Sequence, residues 1–143
     1  MAPGEIMTDD GVRVTLRIAA GAEAVWHALT VGRSAWWPDM VFEAAVGAPL
    51  TESWIEHDER REASGTVTAA DRSRLLSFDW REPDWRASTH VSIELAESGA
   101  ATEVTITETG FADAGTSAAL VAEHAEGWRF HLGRLRDACL GAA

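Results

Sequence analysis

The feature that most constrains the fold is an alternation of apolar and polar residues, which recurs in short segments along most of the chain. Near the start, Val12, Val14, Leu16 and Ile18 share one face, and such alternation predicts a strand that is buried on one side. Further strand-like segments follow at regular spacing. Their ranges are 40–44, 49–57, 63–70, 74–81, 87–97 and 101–110. The chain therefore predicts an antiparallel sheet of six or seven strands.

Helical periodicity appears in three places. Two short segments, 20–30 and 34–40, follow the first strand, and a long amphipathic helix is expected over about 116–140. One face of that helix should carry Leu120, His124, Trp128, His131, Leu132, Leu135 and Cys139. A sheet with one long helix on one face is an α+β arrangement.

Two glycines, Gly127 and Gly133, interrupt the long helix. Each costs roughly 1 kcal/mol relative to alanine in a helix interior, so each needs a reason. We expect them either to allow close approach of the sheet or to leave space beneath the helix.

The length of 143 residues suits one domain. We expect a flexible lead-in over 1–10 and a single domain over 11–143. The one cysteine, Cys139, excludes an internal disulfide and a cysteine-rich zinc site. The chain shows neither an apolar run of membrane-spanning length nor the pattern of a signal peptide. A cytoplasmic protein without a membrane span is therefore expected.

The charge composition excludes several classes of function. The formal net charge is −11, and all 12 basic residues other than histidine are arginines. An acidic surface repels phosphate, which argues against a nucleic-acid partner. The absence of lysine removes Schiff-base chemistry and a P-loop. No cofactor is indicated.

Tryptophan is unusually frequent, with 7 in the chain, and we expect some of these rings to line a cavity. Residue parity places Glu52 and Trp54 on one face of their strand, where burial beside an indole should raise the pKa of Glu52. The strand positions expected to face inward are Leu76, Phe78, Trp80, Val91, Ile93, Leu95, Val104 and Ile106. Exposed tryptophans, namely Trp36, Trp37 or Trp85, could form a dimer contact, so the oligomeric state is open between monomer and homodimer.

Two histidines, His124 and His131, are expected on the cavity side of the long helix. Seven residues separate them, or roughly 10 Å along the axis, which is too far for both to bind one ion. They are candidate polar anchors for a ligand, and no metal site is expected. By contrast, His27 and His90 should point outward, and His57 belongs to a charged turn.

Several motifs, in order, resemble the family of activator of heat-shock protein 90 ATPase homologues, within the START-like, helix-grip superfamily of polyketide cyclases, dehydratases and lipid transporters. The motifs are VWHALT at 25–30, WWP at 36–38, VGAPLTESW at 46–54, GTVTAADRSRLLSFDW at 65–80, STHVSIEL with ATEVTITETGF within 88–111, and GW at 127–128. The resemblance covers about residues 12–138. Two turns depart from the family pattern, at 46–48, which lacks a double glycine, and at 71–73, which lacks a proline pair.

The resemblance implies a sheet that curls around the C-terminal helix and leaves a cavity between them. It leaves three functions open. The first is a domain that binds a small hydrophobic or aromatic ligand, which the lack of a convincing acid–base–nucleophile set favours. The second is a stress-response protein with a chaperone partner. The third is a polyketide cyclase- or dehydratase-like enzyme using Glu52 with His124 or His131. The ligand-binding candidates are Trp54, Trp80, Trp128, Glu52, Phe78, His124 and His131.

Overall fold

The structure is a computed structural model that describes residues 5–8 and 10–141. Its strands are β1 Glu5–Met7, β2 Gly11–Ile18, β3 Met40–Val41, β4 Pro49–Glu56, β5 Glu59–Asp71, β6 Leu75–Trp80, β7 Thr89–Ser98 and β8 Ala101–Thr109. Its helices are α1 Ala22–Leu29, α2 Phe111–Ala114 and α3 Ala118–Gly141, with a single 3-10 turn at Arg33–Ala35.

The strands form one antiparallel sheet in the order β1-β2-β8-β7-β6-β5-β4-β3. The α+β class and the antiparallel sheet are confirmed, while the described part of the chain forms eight strands rather than six or seven. One extra strand, β1, lies within the segment 1–10 that the sequence predicts as a lead-in, and it pairs with β2 from Glu5 to Met7. Residues 1–4 and 9 of that segment lie outside the described residues.

The sheet bends along β5. The first half of this strand pairs with β4 as far as Thr66, and the second half pairs with β6 from Val67 onward, with a register shift between Val67 and Ala69. At the crossover, a Cβ on Gly65 would lie 1.6 Å from the carbonyl oxygen of Asp79. Only glycine fits this approach, so Gly65 allows the sheet to curl.

The concave face of the sheet holds the core, as residue parity predicts. All eight inward strand positions from Leu76 to Ile106 named above are buried, each less than 9% exposed. His27 and His90 are exposed, also as predicted. The alternation along each strand therefore assigned the faces of the sheet correctly.

The long helix α3 lies closest to β2 and α1. It begins at Ala118 and ends at Gly141, close to the predicted bounds. Its buried residues are Val121, Ala125, Trp128, Leu132 and Leu135. Among the described residues, no helix is both long and apolar enough to cross a bilayer.

The expectation that Trp36, Trp37 and Trp85 are exposed is wrong, because all three are at most 8% exposed. The predicted second helical segment shortens to the 3-10 turn, which ends before the two tryptophans. The ring N–H of Trp36 then donates to the carbonyl oxygen of Ala28 at 2.7 Å. These rings fold inward, so they offer no exposed dimer contact.

Candidate functional site

A cavity of about 780 Å³, partly open to solvent, lies between the β4–β6 part of the sheet and α3. Six of the seven tryptophans line it, and only Trp26 does not. The other lining residues are Pro38, Asp39, Glu52, Glu56, Arg61, Glu82, Glu108, Ser117, Leu120, Glu123, His124, Gly127, Phe130, His131 and Arg134. The site is thus an aromatic cleft with charged groups.

The indole rings form two groups. Trp54 and Trp80 stack with centroids 5.8 Å apart and planes 19° apart, and Trp85 meets Trp80 edge-on at 5.2 Å. On the other side, Trp37 meets Trp128 edge-on at 5.9 Å. Offset-stacked and edge-to-face pairs are the favoured arrangements of aromatic rings, so they hold one another in place.

The carboxylate of Glu52 joins these two groups. Its two oxygens accept the ring N–H of Trp37 at 3.1 Å and of Trp80 at 3.2 Å. Burial raises the pKa of Glu52, while the two indole hydrogen bonds partly oppose the rise. The predicted rise is therefore confirmed in direction.

A second carboxylate, Glu108, lies at the base of the cavity and is 1% exposed. One of its oxygens accepts hydrogen bonds from His124 Nδ1 at 2.8 Å and Trp128 Nε1 at 2.9 Å. Its other oxygen accepts the Thr89 hydroxyl at 2.6 Å. One buried carboxylate thus connects β7, β8 and α3. Its hydrogen bonds compensate for its removal from water.

The two histidines on α3 have opposite electrostatic environments. Burial lowers the pKa of His124, but the hydrogen bond and charge of Glu108, with the charges of Glu82 and Glu52, outweigh it and leave the pKa raised. For His131, burial and then the charge of Arg134 lower the pKa to about 4. His131 is therefore neutral at pH 7, and its ring stacks on Trp37 with centroids 4.0 Å apart.

The arginines of the cavity already have partners. Arg61 pairs with Glu82 at 2.9 Å, and Arg134 donates to the carbonyl oxygen of Trp36 at 3.0 Å. Carboxylates outnumber arginines among the lining residues, which include Asp39, Glu56 and Glu123 as well. The electrostatic potential of the cleft is therefore unfavourable to an anion.

Of the seven residues predicted as ligand-binding candidates, six line one cavity. They are Trp54, Trp80, Trp128, Glu52, His124 and His131. The seventh, Phe78, does not line it: it is 1% exposed and stacks on Phe42 at 6.3 Å, within the core. Residue parity correctly predicted that Phe78 faces inward, but the ring of Phe42 packs over it.

The sequence-based prediction missed Glu108, Trp36, Trp37 and Trp85 as parts of the site. A signal for Glu108 was present, because it follows Val104 and Ile106 in the same inward phase of its strand. A charged residue in that phase is unusual and indicates a buried polar network. No comparable pattern marks the three tryptophans.

Neither Gly127 nor Gly133 in α3 is in close contact with the sheet. A Cβ on Gly127 would meet nothing within 4 Å, and one on Gly133 would meet only Arg136 Nη2 at 4.0 Å. The close-approach explanation is therefore wrong for both. Gly127 lines the cavity, so its missing side chain leaves space there.

Metal binding finds no support in the described part of the chain, which contains no cluster of three or more His, Cys, Asp or Glu residues that could hold an ion. His124 and His131 instead contact different partners, Glu108 and Trp37. The arrangement offers aromatic surface, hydrogen bonding and proton transfer.

Known structures share this fold. CalU16 from Micromonospora echinospora aligns with a TM-score of 0.74 at 19% identity, covering 94% of this chain and 84% of CalU16. DynU16 aligns with a TM-score of 0.76 at 23% identity over 92% of this chain, which spans only 47% of DynU16. A protein from Rhodobacter sphaeroides aligns with a TM-score of 0.75 at 19% identity, covering 99% of this chain and 100% of that protein.

Of the sequence comparisons, the one with family models is consistent with this fold. No curated protein matches the chain. The family model described as Activator of Hsp90 ATPase homolog 1-like protein matches residues 19–139, and the helix-grip fold implied by the resemblance is confirmed. Since this match spans most of the chain, the chain belongs to the Activator of Hsp90 ATPase homolog 1-like family.

Proposed function

We propose that this domain binds a small, largely aromatic molecule in the cleft between β4–β6 and α3. The observation that carries the proposal is the cavity of about 780 Å³ lined by six indole rings. Ligand sites in proteins have volumes of roughly 300–1,000 Å³ and are lined mainly by apolar and aromatic side chains. Burial of apolar surface against these rings would drive binding.

The rigidity of the aromatic walls supports the proposal. The ring N–H groups of Trp37, Trp80 and Trp128 donate to Glu52 and Glu108. A wall that is already ordered loses little conformational entropy when a ligand binds, so more of the interaction energy appears as affinity.

One structural neighbour also supports a small-molecule role. DynU16 is described as a protein in the dynemicin biosynthetic locus, which associates that protein with biosynthesis. The shared fold extends the suggestion to this chain as part of our proposal.

The test uses 2-acetylnaphthalene as probe and calorimetry as readout. Trp54→Ala removes a half-buried wall that stacks on Trp80 and should weaken binding at least tenfold, since loss of stacking and aromatic burial is worth about 1.5 kcal/mol or more. Ile55→Ala is the matched control, because Ile55 lies next on β4, faces outward and is 69% exposed. Equal affinities of the two variants, or no binding by the wild type, would refute the proposal.

An enzyme is the second candidate, because Glu52 is not in bulk solvent and lies across Trp80 from His124. Glu52 could remove a proton α to a ligand carbonyl while His124 protonates the oxygen, which gives an enol. The reverse steps in D₂O would exchange the methyl protons of 2-acetylnaphthalene for deuterium. Catalysed exchange that is lost in Glu52→Gln would support this enzyme, and exchange at the uncatalysed rate would exclude it.

A further inference from the structure

The buried carboxylate of Glu108 determines how His124 is presented to the cavity. A carboxylate only accepts hydrogen bonds, so His124 Nδ1, at 2.8 Å from it, carries a proton. The ring is also held by edge-on contacts with Trp80 at 5.3 Å and with Phe111 at 5.2 Å. Both its orientation and the proton on Nδ1 are therefore set by the fold, as in other carboxylate–histidine pairs.

The other ring nitrogen, Nε2, is available. It has no hydrogen-bond partner among residues 5–8 and 10–141, whereas Nδ1 has Glu108. In that same part of the chain, no fully buried side-chain nitrogen or oxygen lacks a partner. Nε2 must therefore reach accessible space, and His124 lines the cavity.

We propose that His124 Nε2 donates a hydrogen bond to a neutral carbonyl oxygen of the ligand, with Glu108 as the positioning residue. The ligand class is thus an aromatic ketone or a related acyl-substituted aromatic molecule. This inference rests on the proposed function, because it describes how the same cleft recognises its ligand.

Charge determines which kind of oxygen the site accepts. The carboxylates that face His124 are Glu108 on β8, Glu52 on β4 and Glu82 after β6, and together they raise the pKa of the imidazole against the effect of burial. Asp39, Glu56 and Glu123 add negative charge around the cleft. These groups would repel a ligand carboxylate. A neutral carbonyl accepts a hydrogen bond from Nε2 without this repulsion.

The test compares two probes of nearly equal shape, 2-acetylnaphthalene and 2-isopropenylnaphthalene, which differ by C=O against C=CH₂. At about pH 6 the wild type should bind the ketone at least tenfold more tightly, as expected for a hydrogen bond from a charged donor. A third probe, 2-naphthoate, should bind more weakly than the ketone. His124→Phe should bring the ratio between ketone and alkene close to one, because phenylalanine keeps a ring at this position but has no hydrogen-bond donor.

The control is His90→Phe. His90 also pairs with a carboxylate, through Nδ1 at 3.0 Å from Asp79, but it lies exposed on the outer face of the sheet. This variant should keep the wild-type ratio. A ratio that persists in His124→Phe would overturn the inference.

Measurements on the wild type alone also test the inference, in case a variant does not fold. The ratio should fall as pH rises through the His124 titration followed by NMR, because deprotonation removes the Nε2 donor. A wild type that binds both probes equally would overturn this inference and leave the proposed function standing. Binding of neither probe would overturn the proposed function and the inference together. Tighter binding of 2-naphthoate than of the ketone would refute the preference for a neutral oxygen.

Discussion

The two halves of the concave face differ in how α3 covers them. The helix lies closest to β2, and its buried residues are Val121, Ala125, Trp128, Leu132 and Leu135, of which only Trp128 also lines the cavity. The residues that immediately precede these along the helix form an adjacent stripe at positions 120, 124, 127, 131 and 134. This stripe lines the cavity on the β4–β6 side. Neighbouring residues lie about 100° apart around a helix. A single helix can therefore close one half of a curved sheet and leave the other half open.

The amino acids of the two stripes explain the difference. The core stripe is apolar and buried, whereas the cavity stripe contains Gly127, His124 and His131, and no large aliphatic side chain apart from Leu120. The open half is therefore a feature of the sequence as well as of the sheet's curvature.

The largest expected effect is a loss of stability in the packed half. Leu132 is 1% exposed, and Leu132→Ala should lower the free energy of unfolding by about 2–5 kcal/mol, because it leaves a void. Leu120→Ala, in the half-buried cavity stripe, should cost about 1 kcal/mol or less. Urea unfolding measures both, and equal losses would contradict the distinction between the stripes.

The next effect is an acid sensitivity of the open half. The pKa of His131 is about 4 in the folded protein, against 6.5 in the unfolded chain. Between these values the unfolded state binds more protons, so stability falls as pH drops from about 6.5 to about 4. The gap corresponds to roughly 3 kcal/mol.

His131→Gln should remove that acid loss, which urea unfolding at a series of pH values would show. His124 has the opposite sign: its raised pKa stabilises the fold below about pH 6.5, and this contribution is lost as pH rises through the folded-state pKa. An acid loss that is unchanged in His131→Gln would show that its ring is not buried neutral.

The smallest effect separates the two helix glycines. Gly127→Ala and Gly133→Ala should each raise stability by up to about 1 kcal/mol, because alanine favours the helix and neither Cβ meets a close neighbour. A longer side chain distinguishes them. Gly127→Leu should lower the affinity for 2-acetylnaphthalene severalfold, because it enters the cavity, whereas Gly133→Leu should not. If the two leucine variants changed the affinity measured by calorimetry equally, the ligand would not bind beside Gly127.

Residue parity was enough to predict most of the fold and the inward candidates for the site. Strand alternation turned Glu52, Trp54 and Trp80 toward the concave face, and helical spacing brought His124 and His131 to the same side. These are local patterns, which depend only on the periods of strands and helices.

Residue parity could not predict which inward residues line the cavity, because this depends on packing between distant parts of the chain. Phe78 faces inward like Trp80, but Phe42 covers it, and no local pattern predicts that contact. Trp37 turns inward because its ring N–H meets Glu52, which lies 15 positions later. Whether an inward residue joins the core or the cavity depends on the curvature of the sheet.

The central claim is that the open half of the concave face receives an aromatic ligand. The most direct measurement is a ¹H–¹⁵N NMR titration of the indole N–H signals with 2-acetylnaphthalene. The signals of Trp54, Trp80 and Trp128 should shift, while that of Trp26, which is buried outside the cavity, should stay in place. Saturating probe that shifts none of the cavity signals, or shifts Trp26 as much as the others, would contradict the account.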